Sequence, residues 1–299
     1  MTSGVGTRVA FDTSQRRSVV NYERLVDDVI EEHRQSPIDM LGIGDAAGEY
    51  TYLQYLKDSY IRTVRDVDFM YHHDRSSRHF LEIGSFLGPV SISLKRLGYR
   101  VSALDIPEFH ESLALRNLYQ SNGIPFSGLN LRHASLPYES NTFDLVIACA
   151  IVEHLNFNPL PVLGEINRVL RDDGHVYIGM PNQTSIVNRM KLLLGGSIHN
   201  PIDDFFKQLD RHDNMIVGLH WREYTMSEAV EMVESMGFEI VVKYYWTEEG
   251  DASGSALSKV KRYLREATYA YPAFGSSQVV VGRKVATPSY DFWLTDANS

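Results

Sequence analysis

The sequence predicts an α/β protein with a doubly wound, mostly parallel sheet, an N-terminal helical extension and an insertion after the fifth strand. Three observations carry this. From Arg78 onward, short apolar runs alternate with amphipathic stretches, as a parallel sheet with crossover helices requires. Before Arg78 only a helical period is present, and between residues 183 and 222 the alternation stops.

The leading residues, 1–20, are polar and aperiodic and read as a mobile leader. From Asn21 to about His73 apolar residues recur at helical spacing: Tyr22, Leu25, Val26, Val29 and Ile30, then Tyr52, Tyr55, Leu56, Tyr60, Val64 and Val67. Pro37 and the run Gly42–Gly48 separate the two groups, and since no β-rich strand precedes that run it reads as a linker. Strands are expected at His79–Ile83, Arg100–Leu104, Asn130–Ala134, Phe143–Ala148 and His175–Met180, with Phe238–Trp246 and Gln278–Val285 completing the sheet. Helices are expected at Pro89–Leu97, Glu108–Gln120, Leu160–Leu170, Met226–Met236 and Ser258–Tyr269. The chain therefore divides into a leader (1–20), a helical extension (21–77), an α/β domain (78–285, with 183–222 as a lid) and a tail (286–299).

Composition narrows the function. The 299 residues are 43% hydrophobic and 22% charged, which excludes a disordered chain or a fibre. No run approaches a membrane span, no secretory signal opens the chain, and the lone Cys149 cannot form an internal disulfide; together these favour a cytoplasmic location. A net charge of −9 argues against nucleic acid as partner, because such binding comes mainly from neutralising phosphates. The sequence leaves a homodimer open.

The segment Phe80-Leu81-Glu82-Ile83-Gly84-Ser85-Phe86-Leu87-Gly88 runs from a strand through a glycine turn into a helix, as a nucleotide-type site requires. A dinucleotide fingerprint would need glycine where Phe86 and Pro89 stand, so NAD and FAD are disfavoured. Twenty-three residues after Glu82, Asp105 ends the second strand, where a carboxylate can accept hydrogen bonds from both ribose hydroxyls.

These residues resemble the class I S-adenosylmethionine-dependent methyltransferases over about residues 78–245, which implies a Rossmann-like methyltransferase fold. LEIGSFLG resembles that family's first motif and ALD the acidic end of its second strand; LPYESNTFDLVIACAIVEHL and LGEINRVLRDDGHVYIGMPN are similar to the later motifs. The resemblance implies that Glu82, Gly84, Ser85 and Gly88 line the methionine half of the cofactor. It implies also that Asp105 holds the ribose, that Ser135 and Leu136 lie beside the adenine, and that Ala148 and Cys149 sit near the cofactor. Two departures stand out: Phe86 replaces the central glycine, and no acid precedes Leu136-Pro137 to meet the adenine amine. MPN, a basic amphipathic helix around Arg189 and Lys191, and HWREYT resemble, more loosely, a bacterial subgroup associated with sugar and glycan biosynthesis.

Methyl transfer to a hydroxyl requires alignment and a base. His154, after the fourth strand, is the expected base, and His220, after the insertion, the expected acceptor-positioning residue. Trp221, Tyr224 and Glu153 are expected on the acceptor. Magnesium (Mg2+) is a further expectation, with Glu153, His154, Asp203, Asp204, Asp210 and Asp213 as candidate ligands. Cys149 reads as packing, and Asn182-Gln183-Thr184 as an unused glycosylation sequon. The expected reaction is O-methylation of a sugar or glycan. A quinone, phenol or lipid-linked acceptor, or a catalytically silent cofactor-binding partner, are the other readings.

Overall fold

The structure, a computed structural model, describes residues 20–36, 38, 49–132, 135–209, 219–247 and 271–288. Most of the leader, the Gly42–Gly48 run, Asp210, Asp213, Ala134, the Ser258–Tyr269 helix and most of the tail lie outside them.

Strands buried on both faces read as mostly apolar runs, and β1 (His79–Ile83) and β4 (Phe143–Cys149) are of this kind, interrupted by Glu82 and Asp144. With β2 (Arg100–Asp105), β3 (Phe126–Gly128), β5 (Leu170–Pro181), β6 (Phe238–Trp246) and β7 (Ser277–Lys284) they form one seven-stranded sheet, ordered β3-β2-β1-β4-β5-β7-β6. Every pairing from β3 to β5 is parallel; β7 runs antiparallel between β5 and β6. The strand order reverses between β1 and β4, so the loops leaving these strands diverge and open a crevice at their carboxyl ends.

Alternate strand residues feed two cores. Phe80, Leu145 and Ile147 face helices α1 (Tyr22–Gln35), α2 (Glu49–Tyr71) and α3 (Pro89–Arg96), while Leu81, Ile83 and Val146 pack toward α6 (Leu160–Val169) and α9 (Met226–Ser235). Thr225 caps α9 through a reciprocal capping box with Glu228, as S/T-x-x-E sequences favour. Among the described residues no helix is long and apolar enough to cross a membrane.

Three elements depart from the sequence reading. The third strand is Phe126–Gly128 rather than Asn130–Ala134; Asn130 instead folds its side chain back to accept the Arg132 amide at 3.0 Å, a local bond that competes with strand pairing. The Glu108–Gln120 helix is split into α4 (Pro107–Glu111) and α5 (Leu113–Ser121), because Ser112 leaves helical geometry and caps α5. Strand β5 begins five residues early, at Leu170, with Asp173 in the left-handed region and a register shift against β4. The insertion supplies α7 (Ile186–Leu193) and α8 (Ile202–Leu209).

The helical extension is fastened to the sheet by a buried charge. Asp68 on α2 is 1% exposed and accepts both Arg75 guanidinium bonds at 2.7 Å and the Tyr22 and Tyr99 hydroxyls at 2.7 Å. Tyr22 comes from α1 and Tyr99 from the entry to β2, so one carboxylate joins three segments distant in sequence. Its own charge is held in place by these donors, which keep its pKa below the usual value against the cost of burial. Removing it strands the partners, so Asp68→Ala should lose about 3 kcal/mol of unfolding free energy in urea, by the cost of breaking a buried pair. Loss of less than half that would show that the extension is held chiefly by its other contacts.

Candidate active site

The β1–α3 turn is shaped by two left-handed residues. Gly84 has φ +74° and Phe86 has φ +46°. At Gly84 a Cβ would lie 1.8 Å from Ile151 Cδ1, so only glycine allows the loop after β4 to close over the turn. Phe86 occupies the position of the missing glycine and keeps a glycine-like conformation, at a cost of about 1–2 kcal/mol for a side-chain-bearing residue. Its ring lies 5.5 Å from that of Phe109, which offsets part of that cost. Ala150, opposite, is also left-handed, so both rims of the crevice carry strained backbone.

Asp105 ties the rims. One oxygen accepts the Phe86 amide at 2.7 Å and the other the Ile106 amide at 2.8 Å. Each oxygen keeps a second lone pair for a ligand hydroxyl. Burial pushes the Asp105 carboxyl up to about 6, the two amides working against the rise. Glu82, buried and bonded to the Ser91 hydroxyl, is pushed up by burial to about 8, with the Asp105 charge adding to the rise. Tyr119 donates toward Ser85 Oγ at 2.8 Å, and Gly88 begins α3.

Two adjoining hollows share Gly84, Asp105, Ile106 and Ile151. The larger, about 870 Å³, is lined by Glu82, Ser85, Phe86, Cys149, Ala150 and His154, and on its far wall by Leu56, Ser59, Tyr60 and Thr63 of α2. The smaller, about 450 Å³, is lined by Ile83, Leu104, Asp105, Leu129, Asn130, Leu131 and Phe157. The sequence marks Leu56 and Tyr60 as part of a helical apolar period but places none of the four α2 residues at the site. Their signal is the spacing 56, 59, 60, 63, which puts two small hydroxyls, Ser59 and Thr63, on one otherwise apolar helix face.

Several expected positions shift. Ser135 and Leu136 do not line either hollow; Leu136 is buried in the core with its amide on Glu165 Oε2 at 2.8 Å, and Leu129–Leu131 stand at the hollow instead. Ala148 is buried within β4, its neighbour Cys149 facing the cleft. Tyr224 is also core: it is 6% exposed, its carbonyl taking the Gln183 amide and the Gln278 side chain, so it cannot offer a face to an acceptor. Trp221 stays partly exposed, stacked on Phe205 with 3° between the planes. Cys149 lies 3.7 Å from Thr63 Oγ1 and burial raises its thiol to about 11, which makes it inert at neutral pH.

The two histidines, far apart in sequence, meet: the His154 and His220 rings are 4.8 Å apart, edge to face. His154 Nδ1 lies 2.9 Å from the Leu219 carbonyl, which accepts only a proton-bearing nitrogen and so leaves Nε2 with a free lone pair. Burial holds His154 neutral, pushed down to about 4. His220 Nδ1 stands 3.3 Å from Glu223 Oε1, and Glu223 and Glu153 raise its pKa against the opposing effect of burial. Glu153 is 1% exposed and neither carboxylate oxygen has a hydrogen-bond partner. Of the acids expected to join them, Asp203 is exposed on α8, and Asp210 and Asp213 are outside the described residues.

Residues 81–178 match a family model described as a methyltransferase domain. Over 89 residues the chain is 34% identical to an uncharacterized protein of Methanocaldococcus jannaschii, a match taking in 30% of this chain and 35% of that protein. Among solved structures, a SAM-dependent methyltransferase from Archaeoglobus fulgidus is 15% identical with a TM-score of 0.49, covering 78% of this chain and 99% of that one. One from Methanosarcina mazei is 18% identical with a TM-score of 0.49, over 72% and 96%. Residues 81–178 thus match a methyltransferase domain.

The closeness of Gly84 to Ile151 gives a test of this geometry. Gly84→Ala should destabilise by about 1–3 kcal/mol through overpacking. Adding Ile151→Ala should recover part of it, leaving the cost of the left-handed backbone; denaturant midpoints read both, and equal stability of single and double variants would show the clash is not the cause.

Proposed function

We propose that this chain is an S-adenosylmethionine-dependent O-methyltransferase acting on a hydroxyl acceptor. The supporting observation is the unprotonated His154 Nε2 at the wall of the larger hollow, beside the Asp105 turn. The hollows fit the cofactor by shape and chemistry: an apolar recess (Leu104, Leu129, Leu131) for a heteroaromatic base, Asp105 midway for vicinal hydroxyls, and Glu82 beyond for a cationic amino-acid end. When bound there, the cofactor supplies an electrophilic methyl on a sulfonium.

The chain's own residues do the rest. Ile151 and Phe86 cover the turn and exclude water; Thr63 and Ser59 face the hollow from α2. His154 Nε2 takes the hydroxyl proton as the acceptor oxygen attacks, and its Nδ1–H, anchored on Leu219, fixes the ring's direction. His220 positions the acceptor. A sugar or glycan is the acceptor class favoured by the partly exposed Trp221–Phe205 pair beside His220, a flat face on which a pyranose ring stacks. A lipid-linked or phenolic acceptor is the second reading, favoured by Leu192, Leu193, Leu194 and Phe206, all more than half exposed on the insertion.

Labelled cofactor against a panel of sugars, glycolipids and phenols tests the proposal; binding without turnover on any of them would favour the silent-partner reading. His154→Ala should keep cofactor affinity and lose about 10²–10⁴-fold in turnover, the contribution of a positioned base. His220→Ala should raise the acceptor KM, and the reverse pattern would exchange the roles. Asp105→Asn should weaken cofactor binding by about 1.5–3 kcal/mol, as loss of hydrogen bonds to a charged group does. Because Glu82 is pushed up to about 8, it is largely protonated at pH 7, and a cationic group arriving beside it favours the carboxylate. Cofactor binding at pH 7 should therefore release protons, seen as a buffer-dependent calorimetric enthalpy that disappears in Glu82→Gln.

A further inference from the structure

Glu153, His154 and His220 each offer one ligand atom, and these three atoms lie within 4.8 Å of one another. Among the described residues this is the one group of three or more potential metal ligands. We propose that it binds a divalent transition-metal ion of the zinc class.

Three features of the cluster point to an ion. The first is orientation. His154 commits Nδ1 to the Leu219 carbonyl and His220 commits Nδ1 to the Glu223 carboxylate, so both rings turn Nε2 away from those anchors. Metal-bound histidines are held in this way, with the second ring nitrogen on a carbonyl or carboxylate that fixes tautomer and direction. Glu223 is itself held by Asn188 Nδ2 at 2.8 Å, which extends the support a further step.

The second feature is the unpartnered carboxylate. Burying a carboxylate with no donor on either oxygen is costly unless it takes up a proton or pairs with a cation; burial pushes Glu153 up to about 7, so near neutral pH a cation competes with the proton for it. Glu153 is held rigidly for such a role. Its backbone carbonyl accepts the Trp221 amide at 2.8 Å, which joins the segment carrying His154 to the segment carrying His220. A cation placed between the three side chains would answer the unpaired Glu153 oxygens and take one ring nitrogen from each histidine.

The third feature is the donor set. Two imidazoles and one carboxylate suit zinc, iron, cobalt or nickel, whereas magnesium prefers oxygen donors and keeps its waters. Magnesium, expected from the sequence with several aspartates, does not suit this cluster. Ligands at about 2.0–2.2 Å from an ion stand roughly 3–3.6 Å apart, so the three side chains must draw together by about 1 Å on loading. Three protein ligands leave a position open toward an incoming oxygen, as catalytic rather than structural zinc sites do. The ion would take the His154 lone pair assigned above to the acceptor proton, so a loaded protein would activate a hydroxyl by coordination. The binding site itself does not depend on which acceptor is used, or on whether the protein transfers a methyl.

The test uses the full chain, stripped with chelator and titrated with Zn2+ and Co2+ by calorimetry and visible absorption. The expected result is one equivalent per chain, with intense cobalt d–d bands of low coordination number and no comparable heat from Mg2+. Glu153→Gln and His220→Asn should each weaken zinc at least 10-fold and alter the cobalt spectrum. Glu223→Gln should weaken it about 10–100-fold, as loss of an outer-shell partner does. Circular dichroism and cofactor binding check that each variant folds, and the part-exposed His220 gives a variant to use should Glu153→Gln fail. Absence of stoichiometric binding to the folded protein would overturn the proposal. So would binding unchanged in both ligand variants, which would place the ion elsewhere, the neighbouring His72 and His73 being the alternative, with rings 3.7 Å apart.

Discussion

The Asp105 carboxylate holds the crevice in shape. Its two oxygens fasten the β1–α3 turn at Phe86 and the end of β2 at Ile106, and the turn returns the favour through Gly84 and Ser85 amides on the Leu104 carbonyl. The clamp, together with the Tyr119 hydroxyl on the Phe86 carbonyl at 2.9 Å, holds Phe86 in its left-handed conformation. The strain in the turn and the burial of the acid are thus two sides of one arrangement. Sheet topology puts it where the order of strands reverses, and the apolar recess and the wider hollow open on its two sides.

Much of this was legible in the sequence, and for physical reasons. Strands such as Phe143–Cys149 are apolar except for Asp144 because both faces are covered, and breakers such as Gly237 end helices at positions only glycine tolerates. The turn at Gly84 and the acid at Asp105 are local in sequence and fixed by backbone geometry, so their spacing revealed them. What failed was decided by tertiary contacts. The sequence predicts the third strand at Asn130–Ala134, yet the edge is formed by Phe126–Gly128, which stacks Phe126 on Tyr119 at 4.2 Å. Tyr224 lies four residues from His220 in sequence but is buried in the core, its carbonyl held by the Gln183 amide and the Gln278 side chain.

The meeting of His154 with His220 lay between these extremes. Each was visible as a candidate, but nothing in the spacing of residues 154 and 220 indicates contact. The Glu153 carbonyl receiving Trp221 makes the connection, a backbone bond that no residue type announces. The same bond satisfies the Glu153 main-chain carbonyl, while its carboxylate is left without a partner.

Helix α2 belongs to the extension, yet it forms one wall of the larger hollow through Leu56, Ser59, Tyr60 and Thr63, and it is riveted to the sheet by Asp68. The strand-end side of that hollow and the helical side are therefore written in separate stretches of chain, some twenty residues apart. Four positions on a single helix face shape one side of the hollow, and Thr63 among them also meets the end of β4 at Cys149 Sγ. Such a division lets one scaffold be refitted to new molecules by rewriting a single helical surface, as a lock is rekeyed by changing its pins and leaving the barrel alone.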